Sequence, residues 1–511
     1  MRKLPIGIQT FTDIRKDNYF YVDKTQEAYE LITHYRYVFL SRPRRFGKSL
    51  FVDTLKCIFE AKKELFEGLY IYDKWNWKET YPVVHISLSG DFRNSGNIES
   101  RINKILRSNR ERLKIDNIQS DSYVNYFEEL IENIYEKYQK KIVILVDEYD
   151  KPILDNIEDL ERANQIRETL KSLYTVIKDM DQYIHFAFFT GVTKFVKAGI
   201  FIGLNMLYDI TLDENYGNIC GYIQKDVEGL LSEYNANVDL AEVKEWYNGY
   251  YWLKERVYNP FDILNFVAKG FKFKNYWFLS GTPTFLIKLL GGNNFFLPRL
   301  SNIQIKDDLL DSYNIENLDL IVLLFQAGYL TIKEEKITNL GISYKLCFPN
   351  KEVRSSFNIF ILDELKKDKE ATANSERLSE AIESGNLEAI RDAFIAIFSS
   401  IPYNNYVNNK IYEYEGYYST VIYLYLQAMG YEIIGEDVTN LGRIDLTFFH
   451  KNAIYLFEFK VEKGKDALEQ LKAKNYHEKY MNDERPIYLV GINFDKEVKN
   501  ISGFQYERVN K

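Results

Sequence analysis

Short apolar runs bounded by polar turns recur through the first two hundred residues, and the spacing between them is helical. Tyr37-Val38-Phe39-Leu40, Pro82 to Leu88, Ile142 to Val146 and Ile184 to Phe189 are nearly continuous apolar stretches, the pattern of strands buried on both faces of a parallel sheet. Between them, 49–60 carries Leu50, Leu55, Ile58 and Phe59 at helical spacing, 122–138 puts Tyr123, Tyr126, Phe127, Leu130, Ile131 and Ile134 on one face, and 97–115 and about 158–180 are also helical. Strand and helix alternating four times predict an α/β fold with a doubly wound parallel sheet. Ahead of the first strand, Tyr19 to Thr25 reads as a β-rich run leading into a helix that Thr25 would cap.

Further along, the pattern changes. Residues 216–300 become helical and aromatic, with Trp246 to Tyr251 and Tyr258-Asn259-Pro260 marking turns. Residues 317–348 read as a helix followed by a hairpin, compatible with a winged-helix module, and the charged stretch Lys366 to Glu376 suggests a boundary. Glu413 to Met429 is a helix stopped by Gly430, and Gly442 to Phe449 and Ile454 to Lys460 are two strands joined by a tight turn. The expected organisation is a phosphate-loop domain over 1–215, a helical lid with a winged-helix-like region over 216–385, and a second α/β domain over 386–511.

The first strand runs into Ser41-Arg42-Pro43-Arg44-Arg45-Phe46-Gly47-Lys48-Ser49 and then a helix. That order suits a phosphate-binding loop, because backbone N–H groups at a helix start carry the positive end of its dipole and glycine lets the chain bend closely round an anion. Arg44, Arg45, Phe46 and Gly47 would form the cradle, Lys48 would reach the β- and γ-phosphates, and the Ser49 hydroxyl would ligate Mg²⁺. The pattern G-x-x-x-x-G-K-[ST] places glycine at position 42, where this chain has Arg42. The third strand ends in Asp147-Glu148, at the edge where open α/β sheets bind ligands. Asp147 would hold the Mg²⁺ shell and Glu148 would polarise an attacking water. Thr190, closing the fourth strand, is placed equally well to sense the γ-phosphate or as an ordinary strand terminus.

The C-terminal hairpin carries a second set of polar groups. If Lys451-Asn452 is a two-residue loop, the antiparallel register sets Asp445 opposite Glu458, and strand alternation puts Glu458 and Lys460 on one face. Two carboxylates inside apolar strands are costly without compensation. Oxygen ligands of this kind suit Mg²⁺ or Mn²⁺, and Lys460 would orient or help deprotonate a water attacking phosphorus. Glu415, at the start of the preceding helix, would add a carboxylate, and Gln470 on the following helix a polar contact.

Composition narrows the picture. A net charge of −8 gives no global basic field, so any nucleic acid must meet a local patch. Cys57, Cys220 and Cys347 are far apart and the five histidines are scattered, which argues against disulfide or thiolate-zinc frameworks and fits a reducing compartment. The N-terminus has no apolar signal core, and no apolar run approaches the ~18 residues of a membrane helix. A cytoplasmic protein without a membrane partner is expected.

The segments Leu4-Pro5-Ile6-Gly7-Ile8-Gln9, Tyr21-Val22-Asp23-Lys24-Thr25, Ser41 to Ser49, Val146-Asp147-Glu148-Tyr149-Asp150, and Gly442-Arg443-Ile444-Asp445 with Glu458-Phe459-Lys460 resemble the bacterial family of AAA-ATPase-like proteins joined to a PD-(D/E)XK nuclease domain. The resemblance covers nearly the whole chain. It implies a restriction-endonuclease-like α/β fold at the C-terminus, ATP binding through Lys48, Ser49, Asp147 and Glu148, and metal-dependent phosphodiester cleavage through Glu415, Asp445, Glu458 and Lys460. The family's loop resembles S-R-P-R-R-F-G-K-S and is not glycine-rich, so Arg42 is within its pattern. The nuclease motif begins here at Asp445 without a preceding proline.

Two functions follow as expectations. One is an ATP-binding, ATP-hydrolysing nuclease acting on nucleic acid, DNA in preference to RNA, with a homo-oligomer compatible with this reading. The other is a nucleotide-dependent switch whose C-terminal domain only binds nucleic acid or a protein partner.

Overall fold

The computed structural model describes residues 1–93, 98–116, 118–120, 122–194, 206–278, 303–310, 319–339, 341–366, 371–401, 415–461 and 466–509. The chain divides into two compact units, Met1–Gly281 with Ile305–Tyr344, and Thr282–Gln304 with Lys345–Lys511. Parts of the expected helical stretch near 279–302, of the charged stretch near 367–370, and Leu318 and Glu413 lie outside the described residues.

The first unit is built on a five-stranded parallel sheet. Its strands are β1 (Tyr37–Ser41), β2 (Val83–Ser87), β3 (Ile142–Asp147), β4 (Ile184–Gly191) and β5 (Tyr208–Asp209), in the order β2-β3-β4-β1-β5. Strands β1 and β3 are buried at every position, as continuous apolar runs require when both faces are covered. Helices Lys48–Phe59, Ile98–Arg112, Tyr123–Tyr138 and Leu160–Asp179 occupy the stretches with helical apolar spacing. The outer edge of β2 is covered by the helix Ile98–Arg112. Its buried Asn109 accepts the His85 N–H at 2.9 Å through Oδ1 and donates to the His85 carbonyl at 2.8 Å through Nδ2.

Two expectations near the N-terminus are corrected. Tyr19 to Thr25 forms no strand and makes only an isolated bridge, Lys3↔Tyr19. Its apolar residues act as anchors: Phe20 is buried beside Tyr222, and Tyr21 meets Phe11 edge-on. Thr25 is the first residue of its helix rather than the cap. Asp23 Oδ1 accepts the Thr25 N–H at 2.8 Å, while Thr25 Oγ1 accepts the Ile71 N–H at 3.1 Å.

After β5, helices Gln224–Glu233, Leu240–Tyr247 and Pro260–Ala268 pack round Val227, Leu230, Tyr247, Ile263 and Phe266. Trp246 and Tyr247 end a helix, and Asn248–Tyr251 (β6) pairs antiparallel with Arg256–Tyr258 (β7), so the expected turn at 246–251 is a strand. Asn259 caps the next helix by accepting the Phe261 N–H. Ile303–Lys306 is β8, and helix Leu320–Ala327 is followed by Thr331–Thr338 (β9) and Gly341–Cys347 (β10).

The second unit holds a five-stranded mixed sheet in sequence order: β11 (Glu432–Val438), β12 (Arg443–His450), β13 (Ala453–Lys460), β14 (Ile487–Asp495) and β15 (Asn500–Arg508). Only β13 and β14 are parallel neighbours, and the crossover between them carries the helix Ala467–Ala473. Leu468 and Leu471 of that helix pack on Ile454, Leu456, Ile487 and Leu489. At Gly491 the helix comes so close that a Cβ would meet the Leu468 backbone nitrogen at 2.3 Å.

Candidate functional site

Strand β1, which lies between β4 and β5 in the sheet, delivers the chain into the loop that precedes the helix Lys48–Phe59. The loop is held from several sides. Phe46 is buried edge-on to Tyr250 and Trp252, with ring centroids 4.7 and 5.3 Å away, and Trp277 Nε1 donates to the Arg44 carbonyl at 3.1 Å. Gly47 takes φ +93° at the start of the helix Lys48–Phe59, a conformation that glycine adopts without steric cost. The Lys48 ammonium folds back and donates to the carbonyls of Arg42 at 2.9 Å and Pro43 at 2.8 Å. Ser49 follows, half-buried. Arg45 is exposed, with its guanidinium stacked 3.9 Å from the Phe261 ring centroid.

Asp147 ends β3 and is buried, and its Oδ1 accepts the Glu148 N–H at 3.0 Å. Glu148 sits at φ +54°, a sparsely populated conformation for a residue with a Cβ. Thr190 is fully buried, and its hydroxyl donates to the Leu40 carbonyl at 3.0 Å. Lys48 is lowered by burial, partly opposed by Asp147. Burial and then the Asp147 charge raise the Glu148 carboxyl.

In the second unit the hairpin has the register expected from a two-residue turn. Pairs run from Leu446↔Phe457 to His450↔Ala453. One step beyond, Asp445 Oδ2 accepts the Phe459 N–H at 2.9 Å. Glu458, 1% exposed, receives the Lys460 ammonium on Oε1 at 3.1 Å and also the Gln470 side-chain amide. Lys460 additionally donates to the Phe459 carbonyl at 3.0 Å and to Glu415 Oε2 at 3.4 Å. Thus Asp445, Glu458, Lys460, Glu415 and Gln470, from two strands and two helices, are linked in one cluster.

Over 512 aligned residues, 99% of each chain, the protein is 42% identical to an uncharacterized protein in the vnfD 5′ region of Azotobacter chroococcum mcd 1. Residues 5–201 match the family described as predicted AAA-ATPase, and residues 413–503 match the PD-(D/E)XK nuclease superfamily. The chain belongs to this two-domain family.

The AAA-ATPase-like domain therefore contains the phosphate-loop candidates, and the PD-(D/E)XK domain contains the carboxylate–lysine cluster. The candidate donors of the first domain, the Ser49 hydroxyl and the Asp147 carboxylate, have the hard oxygen chemistry that suits Mg²⁺. In the nuclease-superfamily domain the fit to a divalent ion rests on Glu458 Oε2, which is buried with no hydrogen-bond partner. Such an orphaned oxygen is unfavourable unless a cation or proton meets it. Burial, reinforced by Asp445, pushes the Glu458 carboxyl up to about 7, and burial also raises Asp445. Burial pulls Lys460 down, but Glu458, Glu415 and Asp445 outweigh it and leave Lys460 raised. Among the described residues no three His, Cys, Asp or Glu side chains are gathered round a metal position. No helix among them is long and apolar enough to cross a membrane.

Two contributors have no role assigned from the sequence. Asp150 is buried, accepts the Val192 N–H and both the Thr193 N–H and hydroxyl, and so pins the end of β4 to the end of β3. Its signal was the third acid in Asp147-Glu148-Tyr149-Asp150. Arg42 marked itself only by occupying a glycine position.

Proposed function

We propose that the protein is an ATP-regulated nuclease, in which Mg·ATP binds at Lys48 and Ser49 and a divalent ion at Asp445 and Glu458 supports phosphodiester cleavage of nucleic acid, DNA in preference to RNA. The observation that carries this reading is the buried, unpartnered Oε2 of Glu458 beside Asp445. We read the parallel sheet as doubly wound, the 320–347 segment as winged-helix-like, and the C-terminal sheet as restriction-endonuclease-like.

In the first site, Lys48 would exchange its two carbonyl acceptors for β- and γ-phosphate oxygens, and the backbone of Arg44, Arg45, Phe46 and Gly47 would cradle them. Asp147 and Ser49 would hold Mg²⁺, and Glu148 would orient the attacking water. Thr190 supports the strand end, since its hydroxyl is committed to Leu40.

In the second site, a bound Mg²⁺ or Mn²⁺ would supply Lewis-acid polarisation of the phosphate and lower the pKa of a water. Asp445 is fixed by the Phe459 N–H, and Glu458 is oriented by Gln470. Lys460, with its pKa raised, stays protonated at neutral pH. Its task is therefore to orient the water and offset phosphate charge, while Glu415 steadies it.

The test is incubation of the purified protein with plasmid, single-stranded DNA and RNA, with Mg²⁺ or Mn²⁺, with and without ATP. Metal-dependent cleavage that ATP modulates supports the proposal. Nucleic-acid binding without cleavage under every condition would favour the nucleotide-dependent switch.

A further inference from the structure

Arg42 stands where a phosphate loop usually has glycine, yet its side chain does not point into solvent. It is 1% exposed. Nη1 donates to the Ser41 carbonyl at 2.8 Å and to the Thr211 carbonyl at 2.9 Å, and Nη2 donates to the Tyr216 carbonyl at 3.2 Å. The Trp252 ring centroid lies 4.3 Å from the guanidinium carbon, and Nε has no hydrogen-bond partner. Among the described residues every hydrogen-bond acceptor of the guanidinium is thus a neutral carbonyl. The carboxylate whose charge reaches Arg42, Asp209, sits in its own ion pair 2.8 Å from Lys194 Nζ.

Carbonyl dipoles satisfy a guanidinium without cancelling its charge, and a buried cation left un-neutralised is expensive. A second cation is adjacent, because the backbone carbonyl of Arg42 itself accepts the Lys48 ammonium. Burial lowers both groups, Arg42 to about 10, which still leaves it charged at neutral pH. Two buried cations lie on one short loop, Lys48 partly offset by Asp147, Asp150 and Glu148 and Arg42 partly offset by Cys220 and Asp209, and an anion entering the loop adds to that compensation.

We propose that Arg42 is a positioning charge for the phosphates of the nucleotide: its buried guanidinium, held by carbonyls and the Trp252 ring, supplies attraction that a glycine-rich loop draws from backbone dipoles, so that affinity rises steeply with phosphate number. This rests on the nucleotide reading of the loop. The charge acts through the field at the loop, and the carbonyl contacts to Thr211 and Tyr216 fix where that field is centred.

The experiment is calorimetric titration of the full-length protein with ATP, ADP and AMP, for wild type, Arg42→Met, Arg42→Lys and Lys48→Ala. Wild type should prefer ATP over AMP. Arg42→Met should narrow that ratio about tenfold, whereas Arg42→Lys, which keeps a cation, should hold it within about threefold of wild type. A merely structural loss would weaken all three ligands alike and leave the ratio unchanged. An Arg42→Met ratio equal to wild type, or an Arg42→Lys ratio as narrow as that of Arg42→Met, overturns the inference. If Arg42→Met does not fold, Arg42→Lys decides alone: a preserved ratio supports the charge, and a collapsed one overturns it. Wild type binding none of the three nucleotides overturns the nucleotide reading as well, and is thereby distinguished from a failure of Arg42 alone.

Discussion

Asp445 reaches across the hairpin to the backbone of the neighbouring strand, its Oδ2 accepting the Phe459 N–H at 2.9 Å, so the carboxylate is fixed one residue past Glu458 before any ion arrives. Its other oxygen is not needed for that bond. Asp445→Asn and Glu458→Gln should abolish metal-dependent cleavage and leave ATP binding unchanged, because the nucleotide-binding candidates belong to the other compact unit. In EDTA both variants should melt no lower than wild type, since each removes one member of a buried like-charge pair. Cleavage surviving in Asp445→Asn would remove the catalytic reading.

Stability in EDTA should also depend on pH through Glu458. Its folded pKa, raised to about 7, lies above the ordinary carboxylate value of 4.5. The folded state therefore keeps a proton that the unfolded chain has released. This contribution is full below pH 4.5 and is lost as pH rises through 7. Urea midpoints in EDTA at pH 5 and pH 8 should fall with pH more for wild type than for Glu458→Gln, and parallel curves would contradict the assignment.

Lys48→Ala removes the ammonium that now bonds the Arg42 and Pro43 carbonyls. Nucleotide affinity should fall by about 10- to 100-fold, the worth of a charge-assisted hydrogen bond, while the circular dichroism of the protein is retained. Unchanged Mg·ATP affinity in calorimetry would remove the phosphate-loop assignment.

Glu148→Gln keeps Asp147 and the loop, so Mg·ATP should bind as in wild type. Turnover should drop by about a hundredfold or more, the usual contribution of a positioned general base. A phosphate-release assay at the wild-type rate would take the role away from Glu148.

Gly491 is paired with Glu458 in the sheet and lies under the helix that brings Gln470. Gly491→Ala would drive a methyl group into the Leu468 backbone, push the helix outward and loosen Gln470 from Glu458. A loss of about 1–3 kcal/mol in stability, as for other overpacked sites, should accompany weakened cleavage. An unchanged thermal midpoint would show that the helix yields freely.

The parallel strands were legible because β1 to β4 are apolar along almost their whole length. The hairpin register was legible because a two-residue turn leaves one way to pair β12 with β13. Other elements left weaker traces. Strand β5 is two residues long, the apolar run of β14 is broken by Gly491, and β15 is largely polar and half-exposed. The aromatic run at 246–251 looked like a turn because a helix changes into a strand inside it. In the sites, pattern gave Lys48, Asp147, Asp445 and Glu458 their places, whereas the anchoring of Arg42 depends on residues 211, 216 and 252, which no local periodicity ties to it.

The Asn109 carboxamide that bonds both backbone groups of His85 has a consequence for assembly order. A bare outer edge on β2 would offer its N–H and C=O groups to any other extended chain. Asn109 lies only 24 residues after His85, so during synthesis it leaves the ribosome well before β3 does. The edge of β2 can therefore be closed at His85 while its own sheet neighbour is still being made.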